Sequence, residues 1–216
     1  MAQGNDPLAP TRLAAIIPVG SLEAAMTRLG GALDAEERQD LAERLLSRTV
    51  LAALAVERIA DVLVVSPDRE VLRRAAELGA RTLRQRSRGL NDGLAEGRDD
   101  VLAGGAGAML ILPIDLAFVT AEAIDVVLDA AGDPDVGPRV VLVTDRHGSG
   151  TNVLFLRPAG AIDLAFGPGS RTAHRRAAEA NGILYTEVDG PLAFDIDTPA
   201  DLVEVESMRP EGIGAG

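Results

Sequence analysis

Short aliphatic runs alternate with longer amphipathic stretches along this 216-residue chain, and that alternation restricts the fold more than any other feature. Leu13 to Val19 reads as a first strand, with Pro18 and Gly20 closing it. Ala35 to Ala55 has helical spacing: Leu46, Val50 and Leu54 fall on one stripe, and Asp34 stands where an N-cap belongs. Val62 to Ser66 predicts a second strand. Pro67–Asp68 then opens a helix that turns Val71, Leu72, Ala75 and Leu78 inward and stops at Gly79. A short strand near Thr82–Leu83 and a helix over about 91–102 lead to Ala108–Ile114, whose nearly unbroken apolarity predicts a strand covered on both faces. A helix over 120–131, strands over 139–143 and 152–156, a helix over 171–181, short strands over 183–188 and 192–196, and a helix opening at Thr198–Pro199 complete the series. The series predicts an α/β fold: a single-domain, mostly parallel sheet covered by helices over 12–206, with 1–11 and 209–216 as flexible tails.

Composition removes several chemistries. All 21 basic residues are arginine, and lysine and cysteine are absent. No Schiff-base lysine, internal PLP aldimine or lysine-bearing phosphate loop can operate, and neither can a catalytic thiolate, a disulfide or a cysteine-bound zinc. A formal charge of −12, one Tyr, four Phe and no Trp argue against single-strand nucleic-acid binding, which uses cationic grooves and stacking platforms. The residues before Thr11 lack a charged-then-apolar leader pattern, and no apolar run reaches the length of a membrane span. A cytoplasmic protein without nucleic-acid or membrane partners is therefore expected.

Ligands of open α/β sheets bind beyond the carboxyl ends of the strands. Asp115 falls there, directly after Pro113–Ile114, and its position fits a metal ligand, a turn cap or a solvated carboxylate alike. Asp195–Ile196–Asp197–Thr198–Pro199, followed by Asp201, is the second candidate. If 192–196 is extended, Asp195 and Asp197 share a side, and carboxylates so placed repel unless a cation or proton intervenes. A helix start accounts for Asp197 and Asp201 equally well, yet leaves Asp195 without a reason. Hard oxygen ligands in a cysteine-free chain suit Mg²⁺, with Mn²⁺ as the alternative, and such ions usually bring substrate phosphates with them. Two glycine-rich stretches suit an anion: Gly148–Ser149–Gly150–Thr151–Asn152, and Phe166–Gly167–Pro168–Gly169–Ser170 with Ser170 as a helix N-cap. His174 is expected to pack or cap, and Phe118, Phe155 and Phe166 to lie in the core.

Three segments together resemble a known family: Asp145–Arg146–His147–Gly148–Ser149–Gly150–Thr151–Asn152, Phe166–Gly167–x–x–Ser170–x–x–x–His174, and Asp195–Ile196–Asp197–Thr198–Pro199–Ala200–Asp201. They look like the guanylyltransferases of deazaflavin coenzyme (F-420) biosynthesis, which act on 2-phospho-L-lactate or, in bacteria, on phosphoenolpyruvate. Gly89–Leu90–Asn91 and Leu112–Pro113–Ile114–Asp115 fit as well, and the likeness runs in order through about residues 12–206. The resemblance implies a nucleotide-diphospho-sugar transferase-like (GT-A-type) fold. It also implies attack of the substrate phosphate on the α-phosphorus of GTP, with release of pyrophosphate. By the same resemblance Asp115, Asp195 and Asp197 are catalytic and hold Mg²⁺, while Thr151, Gly167 and Ser170 receive the phosphate of the three-carbon acid. Arg28 and the Gly89–Leu90–Asn91 turn would lie near the nucleotide.

Nucleotidyl transfer needs charge neutralisation and in-line positioning more than a protein nucleophile, and the attacking phosphate oxygen is already ionised. The resembled family carries one lysine at the end of the first strand and another before a Ser/Thr-Arg-Leu triplet; here Gly20 and Met26 occupy those places. Arg86 and Arg88, with Arg84, cluster just before Gly89 and are candidates to restore positive charge at the nucleotide, a solvated loop being the alternative. Three readings follow: the guanylyltransferase, a related nucleotidyltransferase with another base or phospho-acid such as phosphoglycerate, or a weakened homologue that binds nucleotide or phospho-acid. The pathway implies contact with the enzyme that consumes the product; the oligomeric state is left open.

Overall fold

The computed structural model describes residues 12–21 and 26–208; the tails expected at 1–11 and 209–216, and four residues of the first loop, 22–25, lie outside the described residues. Seven strands form one sheet: β1 (Leu13–Pro18), β2 (Ile59–Ser66), β3 (Arg81–Arg84), β4 (Ala108–Ile111), β5 (Arg139–Val143), β6 (Val153–Arg157) and β7 (Leu184–Val188). Six α-helices accompany them: α1 (Ala35–Ala55), α2 (Arg69–Glu77), α3 (Leu90–Ala103), α4 (Ala121–Ala130), α5 (Ser170–Ala180) and α6 (Pro199–Met208). The strand order is β3-β2-β1-β4-β6-β5-β7. Only β6 runs against its neighbours, pairing antiparallel with both β4 and β5, so the mostly parallel sheet expected from the alternation is present.

Strand side chains point alternately to the two faces, and both faces are covered. Ala15 and Ile17 of β1 join a core with residues of α1, α2 and α4, whereas Ala14 and Ile16 join a second core with Leu94 and Val101 of α3 and Ala178 of α5. That double cover explains why β1 and β4 read as unbroken apolar runs. α1 starts at a full capping box: the Asp34 carboxylate accepts from the Glu37 N–H and the Glu37 carboxylate from the Asp34 N–H, an arrangement whose cap alone stabilises a helix by about 1 kcal/mol. On the other face Gly97 brings α3 close to the sheet; a Cβ there would meet Val65 Cγ2 at 2.9 Å. This seats the N-terminus of α3 beside the carboxyl edge of the sheet.

Two expected elements differ. β4 ends at Ile111 rather than Ile114, because Pro113 has no N–H to continue the ladder. The strand expected over 192–196 is absent: Pro191–Ala193 forms a short 3-10 turn, and only Asp195 keeps a bridge, to Leu116.

Candidate active site

β1, β4 and β5 run the same way, so the loops that follow them collect at one edge of the sheet, where they line a cavity of about 600 Å³. One wall is acidic. Beyond β4 the Ala117 N–H donates to Phe194 O (2.7 Å) and the Ile196 N–H to Asp115 O (2.9 Å). These two backbone bonds lay 194–196 along 115–117 and bring Asp115, Asp195 and Asp197 together, although 80 residues separate the segments along the chain. Loss of hydration, then the negative charges of Asp197 and Asp195, push the Asp115 carboxyl up to about 7. Asp195 is also raised, chiefly by desolvation, and Asn152 Nδ2 holds it by donating to Leu192 O (3.1 Å) and, at 3.5 Å, to Asp195 Oδ1. Buried Asp201 accepts from the backbone N–H groups of Asp197 (2.9 Å) and Thr198 (2.7 Å) and pairs with Arg146, which fixes the turn that carries Asp197.

The opposite wall is made of loop amides and hydroxyls. Asp145 accepts from the N–H groups of Ser149 (2.8 Å) and Gly150 (2.8 Å), folding the β5–β6 loop around its own carboxylate. Gly150 is required by that close approach, since a Cβ would lie 2.5 Å from Asp145 Oδ2. Arg171 braces the same loop, donating to Gly148 O (2.9 Å) while its other nitrogens bind Glu187. The second turn departs from expectation at its helix start: Gly169, at φ 76°, takes the N-cap position, and Ser170 becomes the first residue of α5. A serine in the N-cap would spend its hydroxyl on the helix. Here Ser170 Oγ is buried and lacks a hydrogen-bond partner, and Ser170 is one of the residues that line the cavity.

The structure brings most of the candidate residues to this cavity: Asp115, Asp195 and Asp197, Thr151, Gly167 and Ser170, and Arg28 and Leu90 all line it. Gly89, Asn91, Arg86 and Arg88 are not in the lining. Asn91 has both halves of its amide engaged with one residue, Nδ2 donating to Phe166 O (2.9 Å) and Oδ1 accepting from the Phe166 N–H (2.8 Å). It ties the first turn of α3 to the glycine-rich turn that begins at Phe166 and is not part of the cavity lining. Arg84, Arg86 and Arg88 are exposed, and the turn is shaped by Glu96, which accepts from the N–H groups of Arg86 (2.9 Å) and Ser87 (2.7 Å). Phe155 is buried as expected, but Phe166 lines the cavity. Asp145 and Asn152 were quoted only as parts of a motif. The carboxylate four residues before Ser149 is the signal that marks Asp145 as a loop organiser, whereas nothing local to Asn152 points to Asp195.

Among the described residues the charged groups lining the cavity are four carboxylates, Asp115, Asp145, Asp195 and Asp197, and one guanidinium, Arg28. Gly20 and Met26 line it as well and add no charge. Arg28 is turned onto Asp197, with Nη1 2.6 Å from Oδ2, and in this arrangement no three His, Asp or Glu side chains among the described residues surround a common ion-sized point. The donor set nevertheless fits a hard cation: oxygen ligands from Asp115, Asp195 and Asp197, two of them desolvated and all carrying like charge, cannot receive phosphates unless positive charge enters with them.

The fold is shared with solved nucleotidyltransferases. A structure from Desulfovibrio desulfuricans assigned to the nucleotide-diphospho-sugar transferases superposes with a TM-score of 0.67 at 14% identity, covering 88% of this chain and 84% of the other. 4-Diphosphocytidyl-2C-methyl-D-erythritol synthase of Anaerococcus prevotii gives 0.63 at 13% identity, covering 91% and 95%. The class is thus the nucleotide-diphospho-sugar transferase-like α/β fold. Within it, residues 13–212 match the family described as "Guanylyl transferase CofC like", and the chain belongs to that family of nucleotidyltransferases. It is 44% identical over 200 residues to the phosphoenolpyruvate guanylyltransferase of Sphaerobacter thermophilus, covering 92% of this chain and 94% of the relative. The same enzyme of Rubrobacter xylanophilus is 44% identical over 194 residues, covering 89% and 93%. The 2-phospho-L-lactate guanylyltransferase of Methanocaldococcus vulcanius is 31% identical over 192 residues, covering 88% and 82%.

Proposed function

We propose that this chain, as one nucleotidyltransferase domain over 12–206, transfers the guanylyl group of GTP to the phosphate of phosphoenolpyruvate, in the route to coenzyme F-420. One observation carries the reading: a single cavity sets a wall of carboxylates against a wall of anion donors that includes the orphaned Ser170 hydroxyl. Phosphoenolpyruvate is preferred to 2-phospho-L-lactate because relatives named for the former stand at 44% identity and one named for the latter at 31%.

Thr151, Gly167 and Ser170 would receive the phosphate of the acid, and Arg28 and Leu90, which line the same cavity, would meet the nucleotide. An ionised oxygen of that phosphate forms a bond to the α-phosphorus of GTP, the bond from α-phosphorus to the α,β-bridging oxygen breaks, and pyrophosphate leaves. No side chain has to remove a proton from the nucleophile. Asp115, Asp195 and Asp197 would hold a divalent cation, Mg²⁺ or Mn²⁺, whose contribution is to shield phosphate charge as it shifts towards the leaving group. The protein itself contributes fixed geometry: the 115–117/194–196 bridge sets the carboxylates, and Asp145 sets the loop that faces them.

Pyrophosphate release, measured with each nucleoside triphosphate against phosphoenolpyruvate, 2-phospho-L-lactate and phosphoglycerate in the presence of Mg²⁺, tests this. GTP with phosphoenolpyruvate should be the preferred pair. Asp195→Asn should lower its rate by on the order of a hundredfold or more while leaving the fold intact by circular dichroism. Turnover that survives both Asp195→Asn and Asp197→Asn would overturn the metal assignment, and no release from any pair would overturn the enzymatic reading.

A further inference from the structure

His174 lies in the second turn of α5 and is fully buried. Its two ring nitrogens have different partners. Nε2 lies 3.0 Å from the backbone nitrogen of Ala165, and Nδ1 lies 3.1 Å from Thr151 Oγ1. A backbone amide can only donate, so Nε2 must present its lone pair. That excludes both the imidazolium and the Nε2–H tautomer, leaving a neutral ring with its proton on Nδ1. Desolvation acts in the same direction, pulling the ring down to about 4. The Nδ1–H then donates to Thr151 Oγ1, and His174 is the hydroxyl's hydrogen-bond partner among the described residues. Thr151 lines the cavity, and with Oγ1 accepting from His174 its hydroxyl hydrogen is not taken up by the ring and is free to be donated to a ligand there.

The same ring secures the other half of the anion cradle. Ala165, held by Nε2, immediately precedes Phe166–Gly167, and the Phe166 ring meets the imidazole edge-on at 5.2 Å. Asn91 fixes Phe166 itself through its two amide bonds. A single buried imidazole therefore spans from the β5–β6 loop to the turn that carries Gly167 and Ser170.

We propose that His174 is a positioning residue: as the neutral Nδ1–H tautomer it orients Thr151 to donate its hydroxyl proton to the substrate phosphate, and it holds the 165–170 turn in register with Thr151. The proposal rests on the reading of this wall as the phospho-acid site. It accounts for a buried histidine that touches no reacting atom, and it turns hydroxyl polarity, which sequence cannot show, into a consequence of one backbone amide.

The tautomer is read on the free protein by ¹⁵N NMR of the imidazoles. With two histidines in the chain, His147→Gln assigns the spectrum. The expected result at neutral pH is a protonated Nδ1 and an unprotonated Nε2 for His174. A protonated Nε2 would overturn the proposal without touching the guanylyltransferase reading, and failed guanylyl transfer would leave the spectrum standing. Kinetics supply the second arm. His174→Asn keeps an N–H near the Nδ1 position but loses the acceptor for the Ala165 amide, and should raise the KM for phosphoenolpyruvate by less than His174→Leu does. His174→Leu and Thr151→Val should each raise it by on the order of tenfold, the loss expected for one hydrogen bond to a charged group, with the KM for GTP unchanged. An unchanged phosphoenolpyruvate KM in His174→Leu, or parallel rises in both KM values, would overturn the proposal.

Discussion

Around Thr151 and Ser170 the polypeptide is braced from several directions: Asp145 and Arg171 hold the β5–β6 loop, while Asn91 and His174 hold the turn that follows Ala165. The stretch after β1 lines another part of the cavity, and among its described residues the side-chain ion pair is an exposed one. Leu29 is fully buried, Ser66 Oγ donates to Gly20 O at 3.3 Å, and Arg28 pairs with Asp197 with about three quarters of its own side chain exposed. An ion pair so exposed is worth at most about 1 kcal/mol. On the proposed function, the contrast is between a phospho-acid wall whose loops are held by buried and charged side chains and a nucleotide wall whose described ion pair is exposed. It also places the charge deficit, since Gly20, Met26 and Arg28 all belong to the nucleotide wall.

The strongest way to break this contrast is to remove the main brace of the phospho-acid wall. Asp145→Ala leaves the Ser149 and Gly150 amides without their acceptor and should raise the KM for phosphoenolpyruvate by on the order of thirtyfold to a hundredfold, with the KM for GTP moving less than about threefold. Urea unfolding should show a loss of about 1–3 kcal/mol. Equal rises in the two KM values would mean that the two walls are not built independently.

The sequence shows clearly what is local. The range of α1 and its Asp34 cap follow from spacing and from residues within one turn, and the finished structure matches them. The carboxylates were legible as candidates because motif and strand-end position both mark them. What joins them was not. The bridge between 115–117 and 194–196 connects residues far apart in sequence, and the five residues from Leu192 to Ile196 alternate as well for a strand as for the 3-10 turn and bridge actually formed. Asn91 stands in a recognisable Gly-Leu-Asn turn, yet its partner Phe166 is 75 residues away, so its role as a strut could not be read from the local sequence. Ser170 reads as an N-cap by residue preference. Gly169 displaces it because the chain enters the helix through a left-handed conformation that glycine adopts without steric cost.

The nucleotide wall can be sharpened by addition. A Cβ at Gly20 meets nothing within 4 Å among the described residues, so Gly20→Lys meets no clash at its Cβ and puts a cation on a wall where Arg28 is otherwise the positive group among the described residues. The expected result is a KM for GTP lower by about threefold to tenfold, an advantage that shrinks as salt rises, and an unchanged KM for phosphoenolpyruvate. A KM for GTP that stays put would show that charge at this position does not limit nucleotide binding in this chain.

The smallest effect is expected from the arginines outside the wall. Arg86 and Arg88 are exposed, and Glu96 fixes the turn beneath them through backbone amides rather than through their guanidinium groups. Their side chains thus remain available to a bound triphosphate without being committed to it. Charges acting across solvent are screened within about 8 Å at physiological ionic strength, so each should matter only if the nucleotide draws it in. Arg86→Ala and Arg88→Ala should then each weaken GTP binding by about twofold to fivefold in calorimetric titration at low salt, with the difference vanishing at high salt and folding stability unmoved. Unchanged affinity in both would make the cluster a solvated loop. The nucleotide wall would then depend on Arg28 and on whatever cation the carboxylates hold.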